Sequence, residues 1–216
     1  MPAAQPTNFL PTDAVKGIDV SHRQGEIDWT RVAAAGVQFC YVKATEGAGV
    51  QDPRFRENFD GSKAAGLIGG AYHYFRPDRD AHAQVENFLG VVASLSPGDL
   101  QPALDVEVTG GKDAKTVLDG IQAWVEAVEN VLGRQPILYT FPAFWTQTLL
   151  GSSRFSAYHL WIAHYTLKAS PTVPRGFDDY LFWQFSEQGN VDGIGGKVDL
   201  DRFNGSLEEL KALAWF

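Results

Sequence analysis

The chain has 216 residues, of which 44% are apolar, and its 18 Lys and Arg against 26 Asp and Glu give a formal net charge of −8. This length and composition suit one globular domain with a single large core and exclude a disordered chain. The acidic balance argues against nucleic acid and against anionic lipid as partners, because both need a basic face. The one cysteine, Cys40, excludes an intramolecular disulfide.

The first 13 residues are rich in Pro, Ala and Thr and predict a flexible arm, followed by one domain over 14–216. This beginning has neither the basic nor the apolar region of a signal peptide. No later stretch approaches the roughly 18–20 apolar residues of a membrane span, so we expect no insertion into a membrane. Three explanations for the missing signal peptide stay open. The protein acts where it is made, it is exported by a pathway that needs no recognisable signal, or a signal has been removed.

Behind the arm, apolar runs alternate with helix-like segments. Most runs are almost continuously apolar, which is typical of parallel strands covered on both faces. The alternation predicts an α/β fold, a parallel sheet or barrel with about five βα units. The last three predicted strands leave no room for full crossover helices, so we expect mostly antiparallel pairing there. The predicted strands are 15–21, 37–44, 67–75, 101–108, 136–141, 159–165, 180–186 and 197–201, and the predicted helices are 28–35, 53–65, 80–95, 113–132, 142–150 and 206–214.

The longest predicted helix has defined ends and one apolar face. Asp113 is a capping residue at its start, and Gly133 closes it. Val117, Ile121 and Trp124 begin an apolar stripe at helical spacing. Such a stripe is typical of a helix that buries one face.

Carboxylates recur where the predicted strands end. Asp19 ends the first strand, Asp105 and Glu107 end the fourth, and Asp199 lies in the last. In a parallel barrel this rim is where active sites lie. A sheet interior would not otherwise tolerate so many carboxylates, because unpaired buried charge is costly.

The Asp105-Val106-Glu107 stretch is the most specific of these features. Alternate strand residues share one face, and their Cα atoms would lie about 6.6 Å apart. Two carboxylates held this close should repel each other, so one pKa should rise and create an acid that donates a proton near neutral pH. Glycoside hydrolysis needs such a general acid. The alternative is that both residues make ion pairs or cap a loop.

Aromatic residues at the same strand ends offer flat faces for sugar rings and hydroxyls for hydrogen bonds. For each of them, core packing is the alternative. His73 would bond a carboxylate or a sugar hydroxyl, or orient a loop, and Glu46 would face the site without transferring protons. The aromatic candidates are Tyr72, Tyr74, Tyr139, Trp161, Tyr165 and Trp183.

Other chemistries lack their motifs. There is no Gly-x-Ser-x-Gly elbow, no phosphate-binding loop and no histidine spacing for a metal. We therefore expect neither a metal nor a cofactor.

Seven stretches of the chain resemble glycoside hydrolase family 25, the muramidases also called Chalaropsis-type lysozymes. They occur in family order over roughly residues 15–205, and this ordered set makes the resemblance specific. It implies a flattened, irregular β/α barrel with a few antiparallel late strands. The stretches are Gly17-Ile18-Asp19-Val20-Ser21, Val42-Lys43-Ala44-Thr45-Glu46-Gly47, Gly70-Ala71-Tyr72-His73-Tyr74-Phe75, Leu104-Asp105-Val106-Glu107, Leu160-Trp161-Ile162-Ala163-His164-Tyr165, Phe182-Trp183-Gln184-Phe185 and Val198-Asp199-Leu200-Asp201.

The resemblance implies cleavage of the β-1,4 bond between N-acetylmuramic acid and N-acetylglucosamine in peptidoglycan. It implies that Glu107 is the general acid and that Asp105 and Asp199 stabilise the substrate's N-acetyl group or the developing oxocarbenium ion, with Asp19 in support. It implies action at the bacterial cell wall on peptidoglycan glycan strands, by a chain that we expect to be a monomer. The residues that match substrate-contacting positions are Tyr72, Tyr139 and Trp183, with Gln184 as a weaker match.

Two other interpretations stay open. A chitinase-like hydrolase also places Asp-x-Glu on a barrel strand, although the longer acidic run before that motif is missing here. A non-catalytic glycan-binding module on the same barrel is the other alternative. The intact carboxylate set argues against it, because binding alone does not need a poised acid. The sequence does not decide between a retaining two-carboxylate route and a substrate-assisted one.

Overall fold

The computed structural model describes residues 5–9, 15–92 and 95–214. Nine strands in these ranges form one sheet, and eight of them close into a barrel because the first also pairs with the second. The remaining two-residue strand, the third, forms a hairpin with the second. The strands are β1 (Val15–Val20), β2 (Phe39–Glu46), β3 (Val50–Gln51), β4 (Ile68–Tyr74), β5 (Ala103–Asp105), β6 (Ile137–Thr140), β7 (Leu160–Ala163), β8 (Phe182–Gly189) and β9 (Val198–Phe203).

The predicted barrel is confirmed, but the direction of its late strands differs from the expectation. Neighbouring barrel strands pair in parallel from β1 through β8, and only β9 runs antiparallel to both of its barrel neighbours. The antiparallel pairing expected among the late strands is found where β9 meets β8 and β1, whereas β7 and β8 pair in parallel. The connections 141–159 and 164–181 exceed the dozen or so residues that a crossover needs, although neither contains a regular α-helix. The connection 190–197 between β8 and β9 is too short for a crossover, so β9 runs antiparallel to β8.

Among the described residues there are five α-helices: the first four pack on the outside of the barrel, and the last buries Leu210 and Ala214 against the residues of the barrel interior. The predicted helix 142–150 is instead a five-residue π-helical turn, Phe144–Thr148, which is followed by Leu150 at a positive φ of 59°. No helix in the described ranges is long and apolar enough to cross a membrane. The helices are α1 (Trp29–Ala34), α2 (Phe55–Ala64), α3 (Ala81–Val91), α4 (Ala114–Leu132) and α5 (Leu207–Ala214), and a 3-10 turn covers His22–Gln24.

Helix α4 forms as its sequence predicts. The Asp113 side chain accepts a hydrogen bond of 2.8 Å from the backbone N–H of Thr116, and Gly133 takes the left-handed conformation at the other end. Its apolar stripe, which includes Trp124, is buried against the barrel wall. The helix therefore closes one side of the outer core.

The core has two layers, one on each side of the barrel wall. Residues Phe39 and Tyr41 of β2 point into the barrel, whereas Cys40 and Val42 point outward toward the helices. Burial raises the pKa of the Cys40 thiol well above its ordinary value, which keeps it protonated and unreactive. Aromatic rings fill the barrel interior, so the functional groups are displaced to its mouth.

Residues 5–9, here called the N-terminal segment, lie along β8. The Ser186 hydroxyl donates a hydrogen bond to the Pro6 carbonyl, and the Asn190 N–H donates one of 2.8 Å to the Thr7 carbonyl. These contacts place residues 5–9 of the predicted arm against β8, which offers hydrogen-bonding groups to the segment. The rest of that arm lies outside the described residues.

Candidate active site

A cleft of about 380 Å³ opens at the mouth of the barrel, where the parallel strands end. It brings together all four predicted catalytic carboxylates. It also contains most of the predicted substrate-binding side chains. The lining residues are Asp19, Val20, Ser21, Arg23, Gln24, Lys43, Glu46, Tyr72, Tyr74, Arg76, Asp105, Glu107, Tyr139, Trp161, Tyr165, Gln184, Glu187 and Asp199.

Strand direction explains why the carboxylates meet. Asp19 and Asp105 come at the carboxyl ends of parallel strands β1 and β5. Asp199 lies at the beginning of β9, but β9 runs the opposite way, so this position pairs with Asp19 in the ladder. Ends of parallel strands and the start of one antiparallel strand thus share the same rim.

Burial controls the ionisation of this cluster. Burial, followed by the nearby charge of Glu107, raises the pKa of Asp105 well above its ordinary value. Burial and the neighbouring Asp19 raise the pKa of Asp199 to about 9. At neutral pH the cleft therefore contains neutral carboxylic acids, which can donate as well as accept hydrogen bonds.

The predicted rise in one pKa of the Asp105–Glu107 pair is thus found at Asp105. Only Ala103–Asp105 pairs as a regular strand, which is shorter than the predicted 101–108. The backbone still continues along the sheet, since the Val106 N–H donates to the Tyr139 carbonyl at 2.9 Å. Both carboxylates of the motif accordingly face the cleft.

A second buried carboxyl supports Asp19. Burial and then the charge of the neighbouring Asp201 raise the pKa of Asp19, and burial raises the pKa of Asp201 as well. The indole N–H of Trp161 donates to Asp201 at 2.8 Å. Sequence reasoning missed Asp201 as a site residue, although its two-residue spacing from Asp199 is a usable signal.

Gln184 connects three residues of the cleft. Its side-chain oxygen accepts hydrogen bonds from the hydroxyls of Tyr139 at 3.0 Å and Tyr165 at 2.8 Å. Its Nε2 donates to Asp19 Oδ2 at 2.7 Å. Because Gln184 is only 3% exposed, it orients these groups and offers little surface to a substrate.

Glu107 is the half-buried carboxylate at the edge of the cleft. Tyr74 lines the cleft beside it, and burial followed by the charge of Glu107 raises the pKa of Tyr74. Tyr74 lies two residues from Tyr72 on β4, so strand alternation places both rings on one face. Glu107 thus lies near a neutral phenol and remains open to solvent.

One wall of the cleft is an ion-pair network. A bulge in β2 between Lys43 and Thr45 turns Glu46 to the same side as Lys43. The Lys43 ammonium contacts the Glu46 carboxylate at 2.6 Å, and the Arg76 guanidinium also pairs with Glu46. Burial opposes ionisation of Glu46, but these two cations outweigh it and lower its pKa. Sequence reasoning missed Lys43 and Arg76.

Stacked aromatic rings form the floor. Trp161 stacks on Tyr41 with ring centroids 4.7 Å apart, and the rings of Tyr139 and Tyr72 meet it edge-on. Trp161 is 2% exposed, so a substrate meets its rim at most. The same residue therefore packs in the core and borders the site.

Two predicted substrate-binding residues lie outside the cleft. His73 points outward, where it stacks on Trp124 and its Nδ1 lies 2.7 Å from the Thr45 hydroxyl. Burial lowers the pKa of His73 to about 4 and keeps it neutral. Trp183 is buried in the outer core with its indole N–H on the His164 carbonyl. The structure contradicts substrate contact by either residue, because strand alternation turns these side chains away from the barrel interior.

Comparison with known proteins agrees with this geometry. The family model for glycosyl hydrolases family 25 matches residues 18–194. The chain belongs to this family. It is 38% identical to Lysozyme M1 of Streptomyces globisporus, over 94% of this chain and 72% of that protein. It is 30% identical to the N,O-diacetylmuramidase of Chalaropsis sp., over 93% of this chain and 99% of that protein.

The fold agrees as well. A bacterial lysozyme from Streptomyces coelicolor superimposes with a TM-score of 0.87 at 35% identity, covering 93% of this chain and 97% of that one. The predictions of family, barrel fold and enzyme class are confirmed. This family 25 member is a glycoside hydrolase of the lysozyme type, a peptidoglycan hydrolase.

Proposed function

We propose that this family 25 enzyme cleaves the β-1,4 bond between N-acetylmuramic acid and N-acetylglucosamine, with Glu107 as the general acid. The observation that carries this proposal is the difference in burial among the carboxyl groups of the cluster. Asp19, Asp105 and Asp201 are buried, whereas Glu107 lies half-buried at the cleft edge and next to the Tyr74 hydroxyl. A general acid must reach both the leaving oxygen and a source of protons, and Glu107 has that position.

The neighbouring acids would act on the sugar whose bond breaks. Asp105 and Asp199 line the same cleft as Glu107, and both have raised pKa values. In this form they can hydrogen-bond the N-acetyl group, and loss of a proton would let either stabilise developing positive charge. Asp19 is held by Gln184, and its role is to position the cluster.

The charged wall and the tyrosines would bind the sugar. Tyr72, Tyr139 and Tyr165 present hydroxyls to the cleft, and Glu46 is fixed by Lys43. Protein hydroxyls and ion-paired carboxylates are suitable partners for sugar hydroxyls. These contacts would orient the ring against Glu107 before proton transfer.

The first test is the Glu107→Gln variant. We expect kcat to fall by roughly 10²- to 10⁴-fold, because the amide cannot protonate the leaving oxygen. The melting temperature and the affinity for peptidoglycan should remain close to those of the unmodified enzyme. The matched control is Glu86→Gln, which changes an exposed carboxylate on α3 and should keep full activity.

Mass spectrometry of the digest identifies the bond. Reducing N-acetylmuramic acid ends are the expected product. Reducing glucosamine ends, or cleavage of chitin oligomers without cleavage of peptidoglycan, would contradict the proposed bond. Near-normal turnover by Glu107→Gln would overturn the assignment of the acid.

A further inference from the structure

A second groove of about 650 Å³ continues from the cleft along the barrel mouth. The two spaces share four side chains, so one chain-like ligand can occupy both. The shared residues are Glu107, Tyr139, Tyr165 and Glu187, and the groove adds Gln5, Phe141, Pro142, Ala143, Ala163 and His164.

The position of Glu107 indicates which part of a glycan would enter this groove. The inference rests on the proposed function, in which Glu107 protonates the leaving oxygen. The cluster of Asp19, Asp105 and Asp199 lies on the cleft side of Glu107 and suits the sugar that develops positive charge. The groove on the other side then faces the leaving sugar, and we call it the leaving-group groove.

The lining of the leaving-group groove suits a saccharide. Phe141, Pro142 and Ala143 form an apolar stretch that can face the C–H side of a sugar ring. The Thr172 N–H donates to His164 Nδ1 at 2.9 Å, so the neutral ring carries its proton on Nε2. Burial, followed by Lys168, lowers the pKa of His164 and favours this neutral form. The groove thus combines an apolar face with a hydrogen-bond donor.

The N-terminal segment supplies another polar side chain of this groove. The Gln5 side-chain oxygen accepts a hydrogen bond of 3.0 Å from the backbone N–H of Glu187. Its Nε2 lies 3.4 Å from a carboxylate oxygen of Glu187, a long and weak contact. The two backbone contacts at Pro6 and Thr7 hold the segment on β8 at the same time. A side chain far from β8 in sequence is therefore fixed in the groove that Glu107 also lines.

We propose that the N-terminal segment completes the leaving-group groove and that Gln5 binds the saccharide on that side of the scissile bond. The amide group of Gln5 offers both a donor and an acceptor to sugar hydroxyl or N-acetyl groups. Its contact with the Glu187 backbone holds it in place before substrate arrives, which reduces the entropy lost on binding.

The test compares two substrates with the 216-residue chain. One is a peptidoglycan oligosaccharide with at least one disaccharide on each side of the scissile bond. The other carries the same cleft-side sugars but an aryl leaving group in place of the second part. For Gln5→Ala we expect KM for the oligosaccharide to rise roughly three- to tenfold, as for loss of one hydrogen bond, with kcat and the aryl substrate unaffected.

The matched control is Gln188→Ala. Gln188 is an exposed glutamine of β8, next to Glu187 in the chain, and it lies outside the residues that line the groove. Its replacement should change the kinetics of neither substrate. Identical behaviour of the two variants, or an equal loss by Gln5→Ala on both substrates, would overturn the role of Gln5. An unmodified enzyme that cleaves neither substrate would instead refute the proposed function, so the two failures are distinguishable.

Discussion

At the scale of single residues, the cleft concentrates buried acids at a cost in stability. The pKa values of Asp19, Asp105 and Asp199 are all raised, first of all by burial. Within the described residues, Asp105 Oδ1 is buried without a hydrogen-bond partner. Buried polar atoms without partners destabilise the folded state, and active sites commonly accept such a cost for function.

The Asp199→Asn variant should therefore be more stable than the unmodified enzyme, and the gain should depend on pH. The folded-state pKa of Asp199 is about 9, against an ordinary value of 3.8. Between these values the unfolded chain loses the proton and the folded protein keeps it, so the stability of the folded protein falls as pH rises. Asparagine does not titrate. The difference in melting temperature should widen from about pH 4 to pH 9, as measured by scanning calorimetry across that window.

A difference that stayed constant over the same window would contradict the raised pKa of Asp199. Peptidoglycan cleavage by Asp199→Asn should fall at the same time, because Asp199 lines the cleft. Higher stability together with lower activity would show that the Asp199 carboxyl serves function and not stability.

At the scale of single elements, the barrel interior depends on a close contact between strands β2 and β4. Gly70 pairs with Tyr41 across these strands, and a Cβ atom at Gly70 would lie 2.4 Å from the Tyr41 ring. Tyr41 in turn stacks on Trp161, which forms the floor of the cleft. Because Gly70 has no side chain, the Tyr41 ring can take this position beneath Trp161.

The Gly70→Ala variant should lose about 1–3 kcal/mol of unfolding free energy, because the added methyl group overpacks the barrel interior. Its activity should also decrease, since displacement of Tyr41 moves Trp161. Urea unfolding and initial cleavage rates measure the two effects.

The matched control is Gly90→Ala in helix α3, where a Cβ atom meets nothing within 4 Å. This variant should gain about 0.5–1 kcal/mol from the higher helix propensity of alanine, with activity unchanged. If Gly70→Ala were as stable as Gly90→Ala, the close contact with Tyr41 would not constrain the barrel.

At the scale of the whole molecule, net charge opposes the encounter with the cell wall. The chain carries a formal charge of −8, and cell-wall polymers are anionic as well. The cations Lys43 and Arg76 at the cleft are paired with Glu46, so neither is free to attract an anionic polymer. Short-range contacts within the cleft and groove must therefore supply the affinity.

Initial rates on peptidoglycan that carries anionic polymers should rise as NaCl increases from about 0.01 to 0.15 M. Over this range the Debye length shortens from about 30 to 8 Å, and the mutual repulsion is screened. Rates on a short peptidoglycan oligosaccharide without the anionic polymers serve as the control and should change much less. A rate on the polymer that fell with salt would point to net attraction instead.

Local patterns in the sequence determined the class of fold, the helix α4 and the carboxylates of the rim. Apolar runs predict buried strands without knowledge of their partners, and Asp113 and Gly133 mark the ends of α4 through contacts within a few residues. Asp19, Asp105 and Glu107 follow such runs, so their place at the barrel mouth is also a local property.

Only the tertiary structure decided which side chains meet. Strand alternation predicts that His73 and Tyr72 lie on opposite faces of the sheet, as do Trp183 and Gln184. Which of the two faces borders the cleft depends on closure of the barrel. The bulge in β2, the charge interaction of Asp19 with Asp201, and the position of Gln5 beside Glu187 join residues from distant parts of the chain. Such contacts depend on how the strands and the segment pack together, which no local pattern of residues specifies.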